Sequence, residues 1–293
     1  MSLRYAYNTN GLQNHRLDDA LVLLAETGYD GVALTLDHCH LDPYAPDLAG
    51  RTAALAGRLE GLGLGVVVET GARFLLDPRA KHEPTLVSPD PDARAVRLDF
   101  LTLAVQVAAG LGAEAVSLWA GVPRPGVQRD HAWRWLVSGL AALAERAVVE
   151  GVTLALEPEP GMLVDSVDGY LGLLDAVPDL RLALDVGHCL VTQDRDPAAA
   201  VRECADTLGS VAIEDMRTGV HEHLPFGEGD LDLPAVLGAL TAVRCDRLIC
   251  VELSRDSHRA HTLVGETLAA LHAAQNSQNS AQNSAQNSAE PAD

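Results

Sequence analysis

The chain has 293 residues, 47% of them hydrophobic, enough to bury a full core, and that length suits one large α/β barrel as well as two ordinary domains. Against 41 acidic residues stand 21 basic ones, and the resulting net charge of −20 repels polyanions and argues against a nucleic-acid partner. The five cysteines are scattered and include no C-x-x-C pair, which argues against a disulfide framework or a zinc ribbon.

The opening "MSLRYAYNTNGL" has neither the basic region nor the apolar core of a signal peptide, and no apolar run reaches the ~18 residues of a bilayer span. A soluble, cytoplasmic protein with no membrane partner is expected. Short β-rich runs then alternate with longer Ala/Leu-rich amphipathic ones. Strands are predicted at LRYAY (3–7), GVALTL (31–36), LGVVVE (64–69), AVSLW (115–119), VTLALE (152–157), LRLALD (180–185), SVAIED (210–215) and LICVEL (248–253). Helices are predicted between them, among others at LDDALVLLAETG, LAGRTAALAGRLEGLG, DARAVRLDFLTLAVQVAAGLG and WRWLVSGLAALAERAVVEG, each stopping at the glycine expected past a helix C-terminus. About eight such repeats without an intervening linker predict a single-domain (β/α)8 TIM barrel over residues 1–274. From Gln275 the repeat QNSQNSAQNSAQNSAEPAD has nothing larger than alanine to bury, and a disordered low-complexity tail is expected over 275–293.

Each strand sorts its residues by parity. One set is bulky and apolar, as a helix-facing set must be: Val32/Leu34, Val66/Val68, Val116/Leu118, Leu154/Leu156, Leu182/Leu184, Val211/Ile213 and Ile249/Val251. The other begins small and ends polar: Ala33/Thr35/Asp37, Val67/Glu69, Ser117/Trp119, Ala155/Glu157, Ala183/Asp185, Ala212/Glu214 and Cys250/Glu252. Five acids (Glu69, Glu157, Asp185, Glu214 and Glu252) would thus crowd the C-terminal mouth, where barrel enzymes build their sites. Their mutual repulsion in a low-dielectric mouth is on the order of several kcal/mol, and a divalent cation relieves it most simply.

Histidines join the same rim. In ALDVGHC, His188 follows Asp185 by three residues, and in GVHEHLPFGEGDL the i, i+2 spacing of His221 and His223 lets both side chains reach one ion if the segment is extended. Glycines in that segment permit tight turns and close approach of the backbone to a ligand. Imidazole ligands favour Mn, Zn, Fe or Co over Mg or Ca. Glu69, His82, Trp119, Arg217 and His258 stand just past or at strand ends and are candidates for substrate contact. Arg73, Arg255 and Lys81, the only lysine, are placed to pair with a phosphate or carboxylate. His38 and His40 follow the second strand and are weaker candidates.

LALEPEPG, LALDVGHC, the H-E-H…FGEG run after a strand-seven acid, and CVELS resemble the xylose isomerase-like TIM barrel superfamily, which holds sugar and sugar-phosphate isomerases and epimerases together with the apurinic endonucleases. The resemblance implies a metal held by acids on strands five to eight, matched here by Glu157, Asp185 and Glu252. Many epimerase-like members carry a histidine on strand seven where this chain has Ala212, and Glu214, one inward step on, is the candidate replacement. Asp185 and His188 with His221 and His223 resemble the arrangement that holds an additional ion in two-metal members. The match to the endonucleases fails upstream, with Trp119 and Glu69 standing near their strand-four and strand-three histidines.

The expected activity is metal-dependent isomerisation or epimerisation of a small sugar, sugar phosphate or related polyhydroxy carbonyl compound, with Glu157 and Glu252 as the acid/base pair. A metal-dependent phosphodiesterase and a catalytically silent, metabolite-binding barrel are the alternatives. A homo-oligomer is compatible with either reading.

Overall fold

The computed structural model describes residues 2–287, with side chains as far as Ser277. Its barrel strands are β1 (Arg4–Asn8), β2 (Gly31–Thr35), β3 (Gly65–Glu69), β4 (Val116–Trp119), β5 (Leu154–Glu157), β6 (Arg181–Asp185), β7 (Leu208–Ile213) and, after a two-stranded excursion, β10 (Leu248–Val251). They pair in parallel and close into a ring in the order β1-β10-β7-β6-β5-β4-β3-β2. The excursion is a hairpin of β8 (Asp215–Arg217) and β9 (Val220–Leu224), antiparallel and outside the ring.

Long helices α1 (Leu17–Thr27), α2 (Leu48–Leu62), α3 (Pro91–Leu111) and α4 (Arg129–Glu150) follow the first four strands. Each ends at a glycine in the left-handed region, Gly28, Gly63, Gly112 and Gly151, whose N–H bonds back to the last turn's carbonyls. The second half uses shorter pieces: α5 (Val167–Leu171), α6 (Val186–Thr192), α7 (Pro197–Glu203) and α8 (Leu233–Ala242), before α9 (Ala260–Asn287).

The parity expected of the strands holds. All fourteen residues assigned to the helix-facing set belong to one large buried core under the helices. Ala6, Ala33, Val67, Ala115, Ala155, Ala183, Leu248 and Cys250 form a second, separate cluster on the barrel axis. Small side chains there leave room for the polar ends of the same strands to meet above them.

Two boundaries differ from expectation. Strand seven lies two residues earlier than 210–215, with a register irregularity against β6 near Leu182 and Ala183, and the chain leaves the ring before Glu214. Helix α9 also runs past Ala274, and the Tyr5 hydroxyl donates to Gln275 Oε1 at 3.1 Å, so the polar tail expected from Gln275 begins inside a packed helix. Residues 288–293 of that tail lie outside the described residues. All five cysteines are free, and among the described residues no helix is long and apolar enough to cross a membrane.

Candidate metal and substrate site

The C-terminal mouth of the ring opens into a cavity of about 250 Å³. Glu69, Trp119, Glu157, His188, His221, His223 and Glu252 all line it, as the parity and spacing predict. A smaller hollow beneath, walled by Ser117, Ala183, Asp185 and Ala212, continues toward the axis.

Asp185 ends β6 and is also the N-cap of α6: its Oδ1 accepts the His188 N–H at 3.1 Å, so the D-x-x-H spacing is a helix start. The cap sets His188 on the first turn, facing inward. Its Nδ1 lies 3.0 Å from the Pro158 carbonyl, which accepts only from an N–H, so Nε2 carries the free lone pair when the ring is neutral. That Nε2 is buried and has no partner, and it lies 3.4 Å from Asp185 Oδ2, which is equally unpartnered.

The other two imidazoles arrive on the hairpin. Because β9 is extended, His221 and His223 fall on one face, with ring centroids 5.5 Å apart and 4.9 and 6.3 Å from that of His188. Ligand atoms of the three histidines lie within 4.8 Å of one another, as do those of Glu157, Asp185 and His188, and of Asp185, Glu214 and His223. Glycines of the following FGEGD run serve the hairpin and not a ligand. Asp215 Oδ2 and Oδ1 accept the N–H groups of Gly227 and Leu231, and a Cβ on Gly229 would collide with the Asp215 carboxylate and the Met216 backbone.

Glu214 does not line the cavity. Just past β7 it tucks beneath α6, where a Cβ on Gly187 would come within 2.5 Å of Oε1, and it sits fully buried, its side chain hydrogen-bonded with Asp185 and 3.8 Å from His223 Nδ1. Ala212 pairs in register with Cys250 and Asp185 and brings no ligand atom to the rim. His223, reaching in from the hairpin, supplies an imidazole to the same cluster. Glu252 belongs to none of the three close groups. Its Oε1 accepts from Asn10 at 2.8 Å and its Oε2 from Asn8 at 3.4 Å.

Arg217 and His258 are not brought to the cavity. Arg217 pairs at 3.7 Å with Glu222 on the outer face of the hairpin, and His258 is exposed beyond β10. Asp37, His38 and Cys39 form a further close group along a neighbouring hollow, away from the imidazoles, and His40 is buried. Glu159, not singled out in the sequence, lines the cavity beside Glu157, with His221 Nε2 at 3.7 Å and His188 Nε2 at 3.9 Å. Its signal was the second glutamate of LEPEPG, two residues past a rim acid and on the same parity.

Electrostatics report crowding. Burial first, then neighbouring carboxylates, hold Glu69, Glu157 and Glu214 well above the ordinary carboxylate range and push Glu159 up to about 7. Asp185 is the exception: burial works against its charge, yet His188 and His223 hold it below the ordinary value. Burial likewise opposes the charge on His188, while Asp185 and Glu159 pull it upward, and burial pushes His221 down to about 4.

Trp119 walls the cavity between two cationic or aromatic neighbours, with the His82 ring 5.3 Å away and the Arg97 guanidinium 4.2 Å from its centroid. Arg97 is fully buried and donates to the Thr70 carbonyl at 2.9 Å.

A family described as the xylose isomerase-like TIM barrel matches residues 21–274. This chain belongs to that family. Over 179 residues it is 29% identical to an L-ribulose-5-phosphate 3-epimerase of Shigella flexneri serotype 5b (strain 8401), a match covering 60% of this chain and 63% of that enzyme, less than two thirds of its length. The fold superposes on that of an L-ribulose 3-epimerase with a TM-score of 0.79 at 21% identity, covering 99% and 100% of the two chains. It is also similar to the IOLI protein, solved with a bound zinc atom, with a TM-score of 0.73 at 17% identity over 93% and 96% of the chains.

Proposed function

We propose that this protein is a metal-dependent isomerase or epimerase of a small sugar, sugar phosphate or related polyhydroxy carbonyl compound. The observation that carries this reading is the gathering in one place of buried donor atoms, with Asp185 Oδ2, His188 Nε2 and His223 Nδ1 lacking a partner and the Glu214 carboxyl lying against Asp185. Leaving such atoms unpaired costs on the order of 1–3 kcal/mol each, so the donor set fits a cation. His188, His221, His223 and Asp185 would hold it, with Glu157 and Glu214 at the margins; the mix of imidazole and carboxylate suits Zn, Mn, Fe or Co. The three groups overlap at Asp185, His188 and His223, so a second ion would share ligands with the first.

A divalent cation bound there supplies Lewis acidity toward adjacent substrate oxygens and so acidifies the C–H next to a carbonyl. Glu252 takes up that proton. Two asparagine N–H donors orient its carboxylate. Glu157, three places from Glu252 around the ring, has its carboxyl held well above the usual range by burial and neighbouring carboxylates, and returns a proton from another side of the substrate, which inverts or relocates the centre. Trp119 presents an apolar wall to the sugar's C–H face.

The test is exchange of substrate C–H protons with deuterated solvent, starting with L-ribulose 5-phosphate, the sugar named for the relative, and L-ribulose. Glu157→Gln and Glu252→Gln are each expected to abolish exchange with an unchanged circular dichroism spectrum. Exchange at the wild-type rate in either variant removes that residue from the pair.

A further inference from the structure

On the side of the ring away from the imidazoles the cavity changes sign. Arg73, Lys81 and His82 line it from the segment between β3 and α3, and β3 stands four places from β7 in the eight-membered ring. In a chain of net charge −20, neither Arg73 nor Lys81 has a carboxylate at ion-pair distance among the described residues. Arg73 Nη2 touches only the Ser254 carbonyl, at 3.4 Å, and Lys81 makes no hydrogen bond or ion pair among the described residues.

Of the nearby acids, Glu159 feels the Lys81 charge but sits beside His221 and His188, 3.7 and 3.9 Å away. Glu83 pairs with Arg124 at 3.2 Å, Asp77 accepts from the Arg79 N–H, and Asp37 from those of Cys39 and His40. Glu69, across the floor, has its carboxyl held well above the usual range by burial and then by Glu252. Arg255, a third cation on the lining, is taken by Glu222 at 2.7 Å. Behind the wall the buried Arg97 has Nε and Nη1 without partners. His82 is pushed down to about 4 by burial and then by Lys81, Arg97 and Arg73, the mark of a positive local field.

The segment is also held in a demanding shape. Ala72, Arg73 and His82 have φ of 55°, 30° and 67°, and the His82 N–H donates to the Arg73 carbonyl at 2.6 Å. Left-handed backbone at three non-glycine residues persists where the surrounding structure fixes it, commonly at ligand clamps.

We propose that this wall is the subsite for a phosphate monoester on the substrate, with Arg73 and Lys81 as its charge partners. A monoester carries about −1.5 to −2 at pH 7 and so matches two unpaired cations, whereas a carboxylate would leave one unmatched. The proposal rests on the isomerase reading of the cavity and narrows it to phosphorylated sugars.

A matched pair of ligands tests it. Titration calorimetry on the metal-loaded protein is expected to show L-ribulose 5-phosphate binding at least about 10-fold tighter than L-ribulose, the size of one charge-assisted hydrogen bond or more. Arg73→Gln and Lys81→Gln should each remove about 10-fold of that preference and leave L-ribulose binding unchanged. Arg73→Lys should restore part of it, and Arg58→Gln, on the outer surface of α2, should change nothing. Equal binding of the two sugars, including no measurable binding of either, overturns the proposal. So does a preference that survives in both glutamine variants, or tighter binding of a ketouronate than of the phosphate. Exchange of C–H protons without any phosphate preference would remove this subsite alone; phosphate preference without exchange would remove the isomerase reading and leave the subsite.

Discussion

Asp185 serves His188 twice: one carboxylate oxygen accepts its backbone N–H at 3.1 Å, and the other lies 3.4 Å from its Nε2. The first contact is a helix cap and the second places charge beside an atom proposed to hold the metal, so the two roles can be separated. Asp185→Asn keeps a good cap and is expected to hold stability within about 0.5 kcal/mol while abolishing metal retention. Asp185→Ala should lose the metal and about 1 kcal/mol more. Urea denaturation and elemental analysis of the purified variants check both halves.

His221→Ala together with His223→Ala should lower metal content to background, because the hairpin supplies two of the three imidazoles. Circular dichroism of the double variant should match wild type, since both residues are partly exposed and outside the apolar core. Full metal content in the double variant would contradict the imidazole site.

Asn10 donates to Glu252 at 2.8 Å without touching the imidazole group. Asn10→Ala is expected to reduce the proton-exchange rate by about 10- to 100-fold, the equivalent of one lost hydrogen bond to a charged group. Metal content should not change. A parallel loss of metal would place Glu252 among the ligands.

Gly229 packs against the Asp215 carboxylate and the Met216 backbone with no room for a Cβ. Gly229→Ala should cost about 2 kcal/mol and loosen the hairpin, read as a lower urea midpoint and weaker metal retention.

His82, pushed down to about 4 in the folded protein, takes a proton more readily in the unfolded chain, whose ordinary value is 6.5. As pH falls from 6.5 toward 4 the unfolded state binds more protons, so this residue lowers stability over that window. His82→Asn should flatten the difference in urea midpoint between pH 7 and pH 5 relative to wild type. An identical pH dependence in the variant would place His82 outside the cationic wall.

Much of the scaffold was legible because a barrel strand encodes its surroundings by parity. Val66 and Val68 against Val67 and Glu69 already separate helix-facing from axis-facing positions, and the structure keeps that separation. Glu69, Glu157 and Glu252 reach the cavity by the same parity, whereas the H-x-H pair shares a face through the alternation of β9. What escaped was tertiary. Nothing local ties Asn8 and Asn10 to an acid more than two hundred positions away, and Glu214 shared its strand's parity until the chain left the ring a residue earlier. Arg217 was placed near the cavity because the hairpin was unforeseen; on β8 it pairs outward with Glu222. The FGEGD glycines suggest close approach of the backbone to a ligand, whereas the group packed against Gly229 is Asp215.

The hairpin has a consequence for how this scaffold divides its labour. Two imidazoles sit on an appendage outside the closed ring, anchored at its root by one buried aspartate. Capturing an ion would therefore staple the appendage to the barrel. Its detachment would expose the cavity and surrender any ion bound there in a single movement, so occupancy and access would be governed together.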